Sequence, residues 1–241
     1  MSGFQLYATV CIVAAVLVAA VHYVLVAQRR PRPARGMRTV RRYSLWERLV
    51  HLALLVSFLV LAATGFYASI GWGGPMSGYL LMVHTIFGAV FAVSVAAMLV
   101  TWAAGHAFAP PDGQWLRRGG CLSAARDLPA GRFDAGDKVY FWLAAAAGLT
   151  TLLSTLLSMT TLFGTAGQAL LYDVHRWSSL VLVIATIWHA YMTTLAKPGA
   201  LGALLSGRVS RAWAERYHPL WGRNPKTPKP SPLAGEGGEA G

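Results

Sequence analysis

Residues 173–197 read DVHRWSSLVLVIATIWHAYMTTLAK, an apolar helical stretch that carries two histidines, His175 and His189. Fourteen helical steps separate them and fall within about 40° of four full turns, so both imidazoles leave one face of the helix. The rise between them is about 21 Å, which puts one near each edge of a hydrocarbon layer about 30 Å thick. Ionisable side chains at such depths are costly and mark function.

The rest of the chain has the composition of a polytopic membrane protein. Of 241 residues, 55% are hydrophobic and 12% charged, with a mean hydropathy of +0.47. Hydropathy gives five spans, at about Phe4–Ala27, Leu45–Ile70, Tyr79–Trp102, Val139–Phe163 and Leu171–Ala196. The first has no basic segment ahead of it and an apolar run longer than a signal peptide's, so it reads as a retained helix. The expected fold class is all-α: a four-helix transmembrane bundle plus one extra N-terminal transmembrane helix. The organisation is then an extra helix at 1–28, a basic linker at 29–44, a four-helix membrane domain at 45–197, a tail segment at 198–224 and a disordered end, rich in Pro, Gly and Glu, at 225–241.

The net charge of +12 does not point to nucleic acid, because the basic residues sit between apolar spans, where they set orientation. Gln28–Arg42 holds seven arginines and no acid, and Gly71–Gly78 holds no charge. Gly105–Lys138 holds five basic and four acidic residues, and the tail from Lys197 holds seven basic residues. The positive-inside rule therefore puts the arginine segment, the central loop and the tail in the cytoplasm, with the N-terminus outside and the C-terminus inside. Two cysteines, Cys11 and Cys121, with no CxxC or CxxCH, give no disulfide framework and no covalent haem attachment.

Depth then pairs the histidines. His51, in WERLVHLALL, lies at the cytoplasmic end of the second span, and His84, in LLMVHTIFG, lies at the outer end of the third. The fifth span runs inward, so His175 matches His84 and His189 matches His51. An iron held by two axial histidines needs such pairs, and four histidines at two depths make two b-type haem sites, one above the other. Gly65 lies fourteen residues after His51 on the same face, and Gly88 lies one turn after His84; both leave room for a porphyrin. Two other readings stay open at this point: helix–helix hydrogen bonding, and a proton relay, although the spans hold almost no acids to serve one. His22 reads as a helix-end residue reaching the interface, His106 as interfacial and His218 as a solvated tail residue.

The residues also carry a resemblance. ERLVH with Thr64–Gly65, HTIFG at His84–Gly88, FDAGDKVYFW at Phe133–Trp142, HAYM at His189–Met192 and GRVSRAWAERYHPLWGR at Gly207–Arg223 resemble the gamma subunit, cytochrome b, of respiratory membrane-bound formate dehydrogenases. The similarity runs over roughly Arg41–Arg223, and its cytoplasmic tail pattern is the most specific part. The resemblance implies two b haems, an outer one on His84 and His175 and an inner one on His51 and His189, in agreement with the depth argument. It further implies a quinone (menaquinone or ubiquinone) near the inner haem at Asp134, Gly136 and His189, and a tail that docks partners. Those partners are an iron–sulfur beta subunit and a molybdenum- or tungsten-containing alpha subunit, in a bacterial inner membrane. Formate oxidation is not expected of this chain alone. Related cytochromes b serve nickel–iron hydrogenases and sulfur-compound reductases, and a non-redox membrane anchor is the reading from another class. The sequence departs from the family in two places. The first span is an addition to four core helices, and an Asn-x-Gly pattern followed by Gln is replaced by Asp134–Ala135–Gly136–Asp137. An aspartate there suits proton delivery to a reduced quinone.

Overall fold

Long apolar helices account for most of the molecule, whose computed structural model describes residues 3–34, 36–123 and 128–223. Helix α1 (Gly3–Leu25) runs on into one 3-10 turn at Ala27–Arg29. Helix α2 (Leu45–Phe66) ends in a π turn over Tyr67–Trp72, and α3 (Gly78–Trp102) follows. The central loop holds the short α4 (Pro110–Arg117). Helix α5 (Ala135–Ser158) and α6 (Gly164–Tyr191) come next, the latter extended by a π turn over Met192–Ala196. Five of these helices, α1, α2, α3, α5 and α6, are long and apolar enough to cross a membrane, as the hydropathy reading expected.

The helix ends differ from that reading at one connection. Helix α5 stops at Ser158, and α6 starts at Gly164, ahead of the apolar run at Leu171. The intervening residues, GTAGQAL, are too weakly apolar to register as a span yet are compatible with a helix.

Side-chain caps fix where two of the core helices begin. Ser44 accepts from the Glu47 N–H at 3.1 Å while Glu47 accepts from the Ser44 N–H at 2.8 Å. Asp134 and Asp137 form the same reciprocal box at the start of α5. Glu47 does more than cap. Its other oxygen accepts from Trp102 Nε1 at the end of α3 (3.0 Å) and from Arg132 of the central loop (2.6 Å), so one carboxylate joins three segments.

Two antiparallel pairs, α2 with α3 and α5 with α6, make the bundle, and α1 lies against α6. Val50, Phe91, Val95, Met98, Trp102, Phe141 and Leu182 fill the centre. Leu59, Val93, Val100 and Leu153 point outward, where a soluble protein would place polar groups. Hydroxyls inside the helices bond back to their own backbone, as Ser57 does to Ala53 O and Ser94 to Val90 O, both at 2.7 Å.

At one end of the bundle the basic linker, the central loop and the tail fold together. Strand β1 (Val40–Arg41) pairs antiparallel with β2 (Arg208–Val209), Val40 facing Val209. Helices α7 (Ala200–Ser206), α8 (Arg211–Tyr217) and α9 (Pro219–Gly222) complete the cap. Trp213 packs with Val40, Ala203 and Val209 under the Arg42 guanidinium, 4.8 Å from a Trp213 ring centre. The three charged segments thus share one face of the bundle, as alternating loops require. The disordered end expected at 225–241 lies outside the described residues.

Three histidines are not where the sequence reading put them. His218 is fully buried, its Nδ1–H donating to Gly131 O at 2.8 Å, because the tail folds back over the central loop. His106 is buried between the rings of Phe133 and Phe141, at 4.1 and 4.3 Å, and its Nδ1–H donates to Trp102 O. His22 does not reach the interface; it is buried and bonded to Tyr191 and to the Cys121 carbonyl.

The cap closes on Gly207, whose φ is +73° and whose added Cβ would lie 2.7 Å from Tyr43 O. Its own carbonyl accepts from the Arg42 and Tyr43 N–H groups, which fixes the approach. Gly207→Ala is expected to lower the melting temperature in detergent, since a side chain in left-handed backbone costs about 1–2 kcal/mol before the clash is counted. Gly113→Ala, in α4 with open space around it, is the control and is expected to leave stability equal or higher by about 0.5–1 kcal/mol.

Candidate functional site

Four histidines meet in two pairs. His84 of α3 faces His175 of α6 with ring centres 6.4 Å apart, and His51 of α2 faces His189 of α6 at the same 6.4 Å. Metal–imidazole bonds are about 2.0 Å long and the ring centre lies roughly 1 Å behind the nitrogen. Two axial imidazoles on one metal therefore put their centres about 6 Å apart. Both pairs have the spacing of a bis-histidine iron site.

The hydrogen bonds around the first pair set which nitrogen is free. Thr64 Oγ1 gives its hydrogen to Val60 O (2.7 Å) and so accepts from His84 Nδ1–H, also at 2.7 Å. His175 Nδ1 faces Thr151 O at 3.1 Å, which can only accept, and Thr155 Oγ1 at 2.5 Å, whose hydrogen goes to Thr151 O. Both imidazoles thereby carry the proton on Nδ1 and present an Nε2 lone pair, the form a metal needs. In the sequence reading Thr64 entered only as part of the Thr64–Gly65 motif, with no role, and Thr151 and Thr155 did not enter. A further sequence signal is that Thr64 lies twenty residues before His84 and Thr155 twenty before His175.

The second pair is held differently. The His189 ring stacks on Tyr140 of α5, with centres 4.0 Å apart and planes 11° from parallel. His51 Nδ1 is buried with no hydrogen-bond partner among the described residues. Of the two glycines expected to clear space, Gly88 faces a void in which an added Cβ would meet nothing within 4 Å. Gly65 abuts the His84 ring, with 3.4 Å from its added Cβ to His84 Cε1.

A small, partly open cavity of about 30 Å³ lies beside His189. Asp134, Gly136 and His189, the three residues expected around a quinone, all line it, together with Cys121, Asp137, Tyr140, Trp188, Met192 and Lys197. The carboxylates are already engaged. Asp134 Oδ1 accepts from the Asp137 N–H at 2.9 Å, and its Oδ2 takes the Lys197 ammonium. Asp137 lies 3.7 Å from Lys197 and 3.9 Å from Arg42. Burial opposes the Lys197 charge, yet the Asp134 and Asp137 carboxylates hold its pKa above the usual lysine value, so it stays an ammonium. A second cavity lies across this ion pair, sharing Cys121, Asp134 and Lys197 with the first and lined further by Arg30, Arg216 and Tyr217. Ligand atoms of Asp134, Asp137 and His218 come within 4.8 Å of one another. With Lys197 and Arg42 already among them, this is a compensated buried ion cluster and a poor cation site. Lys197 was read as the first tail residue; its burial depends on the tail packing over it, which periodicity cannot report.

A five-span bundle with two stacked imidazole pairs, and a cavity at one of them, defines a membrane cytochrome of the b type. The comparison with known proteins agrees: the family model for prokaryotic cytochrome b561 matches residues 42–207, and the chain belongs to that family. Membership implies haem b and a multi-pass membrane protein. Among its relatives is the cytochrome b556 subunit of the nitrate-inducible formate dehydrogenase of Escherichia coli. That relative is 26% identical over an alignment of 194 positions that covers 73% of this chain and 87% of the relative. A second formate dehydrogenase cytochrome b556 subunit from the same organism is 25% identical over 200 residues, covering 77% and 92%. The family match begins at Arg42, so α1 precedes it.

The buried His218 makes the cap sensitive to acid. An unfolded histidine takes up a proton below about pH 6.5. In the folded chain, burial first, and then the Arg42 and Lys197 charges, keep the His218 pKa well below that. The unfolded state therefore binds more protons as pH drops past about 6.5, and stability present above that range is lost on acidification. The melting temperature is expected to fall between about pH 7.5 and 5.5, and to fall less in His218→Gln, which keeps a donor for Gly131 O. Parallel pH slopes for the two proteins would remove His218 from the effect.

Proposed function

We propose that this chain is the membrane cytochrome b subunit of a formate dehydrogenase complex. It passes electrons from an iron–sulfur subunit through two bis-histidine b haems to a quinone near the cytoplasmic face. The observation that carries the reading is the two imidazole couples set fourteen residues apart along α6, each with ring centres at 6.4 Å, with a cavity lined by His189 of the second couple. Haem b held between these imidazoles would supply one-electron oxidation and reduction.

His84 and His175 are the proposed outer ligands, and Thr64, Thr151 and Thr155 fix their rings and tautomer. His51 and His189 are the proposed inner ligands, with Tyr140 as the shelf that orients His189. The inner assignment follows from the arginine-rich linker, the central loop and the tail gathering at that end, which the positive-inside rule places in the cytoplasm. The quinone site is the cavity of Asp134, Gly136 and His189. Quinone reduction takes up two electrons and two protons. Asp134 is committed to the α5 cap and to Lys197, which argues against it as a free proton donor and for a role in shaping the cavity. The names of the Escherichia coli relatives support formate dehydrogenase as the complex. A cytochrome b of a hydrogenase or a sulfur-compound reductase is the second reading, which the family match accommodates equally, and co-purifying subunits separate the two.

The dithionite-reduced-minus-oxidised spectrum of the purified chain is expected to show two b-type haems. His84→Ala and His175→Ala are expected to remove one and the same component, and His51→Ala and His189→Ala the other. A colourless protein, or an unchanged spectrum in His51→Ala, would overturn the assignment. Asp134→Ala is expected to slow quinone reduction by about tenfold or more with both haem signals retained, because it frees Lys197 and uncaps α5 beside the cavity. Wild-type turnover in that variant would exclude Asp134 from the quinone site.

A further inference from the structure

Helix α1 lies ahead of the family match, yet it is bonded to the wall of the cavity beside His189. Ala19 of α1, with Tyr23 and Ala27 beside it, packs on Trp188, Tyr191, Met192 and Cys121, and three of these four residues other than Tyr191 line the cavity. His22 is the polar centre of the contact. Its Nε2 lies 2.7 Å from the Cys121 carbonyl, which can only accept, so Nε2 carries the proton. Nδ1 is then the acceptor for the Tyr191 hydroxyl at 2.6 Å. Both nitrogens are used, and the ring is also in edge contact with Trp188 at 5.3 Å. One helical turn beyond α1, Arg30 donates to the same Cys121 carbonyl at 2.6 Å and to the Ser123 carbonyl. The turn they hold is tightly wound: Gly120 has a φ of +47°, and an added Cβ would run into Trp115. Helix α1 thus puts no side chain into the cavity. It pins the turn and the α6 residues that do line it.

We propose that α1 is a latch on the quinone cavity: His22, bridging Tyr191 and the Cys121 carbonyl with Arg30 in support, fixes the cavity wall and so sets how tightly the quinone is held. The affinity half of this statement rests on the quinone reading of the cavity; the pinning half does not. His22 is a positioning residue and touches no reacting atom.

The test uses the full haem-loaded chain in detergent with two readouts. The first is the rate at which N-ethylmaleimide labels Cys121, followed on its own peptide so that Cys11 does not interfere. Burial pushes the Cys121 thiol pKa up, so labelling is slow while the wall is closed. The second is the concentration of decylubiquinol or menadiol that gives half-maximal haem reduction. In His22→Leu and in Tyr191→Phe, labelling is expected to quicken and the half-saturating quinol concentration to rise, each by about fivefold, the size of one lost buried hydrogen bond. The maximal rate and both haem spectra are expected to stay near wild type. His22→Gln, whose amide offers one donor and one acceptor, is expected to restore both readouts. Tyr191→Phe removes only a hydroxyl, so the test survives if His22→Leu fails to fold. Unchanged labelling in both variants would overturn the latch, and faster labelling with an unchanged half-saturating concentration would overturn its link to affinity. A wild-type chain that neither quinol reduces would instead overturn the quinone reading, with labelling then deciding the latch alone.

Discussion

A neutral imidazole within a hydrocarbon layer has two nitrogens, and each must find something other than water. That constraint organises the membrane part of this protein. At the outer end of α6 the problem is solved on one side by threonines, whose hydroxyls are themselves anchored to the helix backbone, and the facing nitrogens are left as lone pairs. Nothing charged is needed to hold them. The rings are oriented by bonds that reach from α2 to α3 and from α5 to α6, so the same contacts that pack the helix pairs also aim the ligands.

The other end of the bundle is built on charge. Glu47, Arg132, Asp134, Asp137, Lys197 and Arg42 form a nearly closed set of partners where the linker, the central loop and the tail converge. Burying one of these groups alone would cost several kcal/mol, so the cluster is stable only as a unit. This explains why a tail that reads as polar folds back onto the bundle: it brings the cover over His218 and Lys197 that keeps their partners in place. It also leaves both oxygens of Asp134 engaged, one by the Asp137 N–H and one by the Lys197 ammonium.

What the sequence discloses here follows physical period. Five apolar runs, two histidines on one stripe of α6 and charge alternating between loops are all properties of local chain, and each is legible. The partners of His175 and His189, namely His84 and His51, needed only depth matching, because antiparallel spans of fixed length leave little freedom in height. The misreadings share a cause. His22 and His106 were assigned to the interface from their position near span ends, and His218 to water from its place in the tail, yet each is buried by a segment distant in sequence: Cys121, Phe133 and Gly131. Tyr140 and Lys197 were missed for the same reason. Their roles come from what packs over the ends of the bundle, and no periodicity encodes that.

The two ends also differ in what surrounds the imidazoles. The His84–His175 pair sits among hydroxyls, and the His51–His189 pair sits beside a cavity at the charged end. A carrier that takes up protons with its electrons needs a route to water, and a group that only passes electrons is better kept dry. An electron moving from the first environment to the second crosses most of the membrane, and each elementary charge so moved against 100 mV involves about 2.3 kcal/mol. Under the proposed electron path, the asymmetry between threonine and ion pair is the structural counterpart of vectorial transfer. Helix α1, which precedes the family match, meets the bundle near both of its ends, Phe4 against Trp177 and Leu180 and Ala19 against Tyr191 and Met192, the second contact lying against the wall of the cavity beside His189.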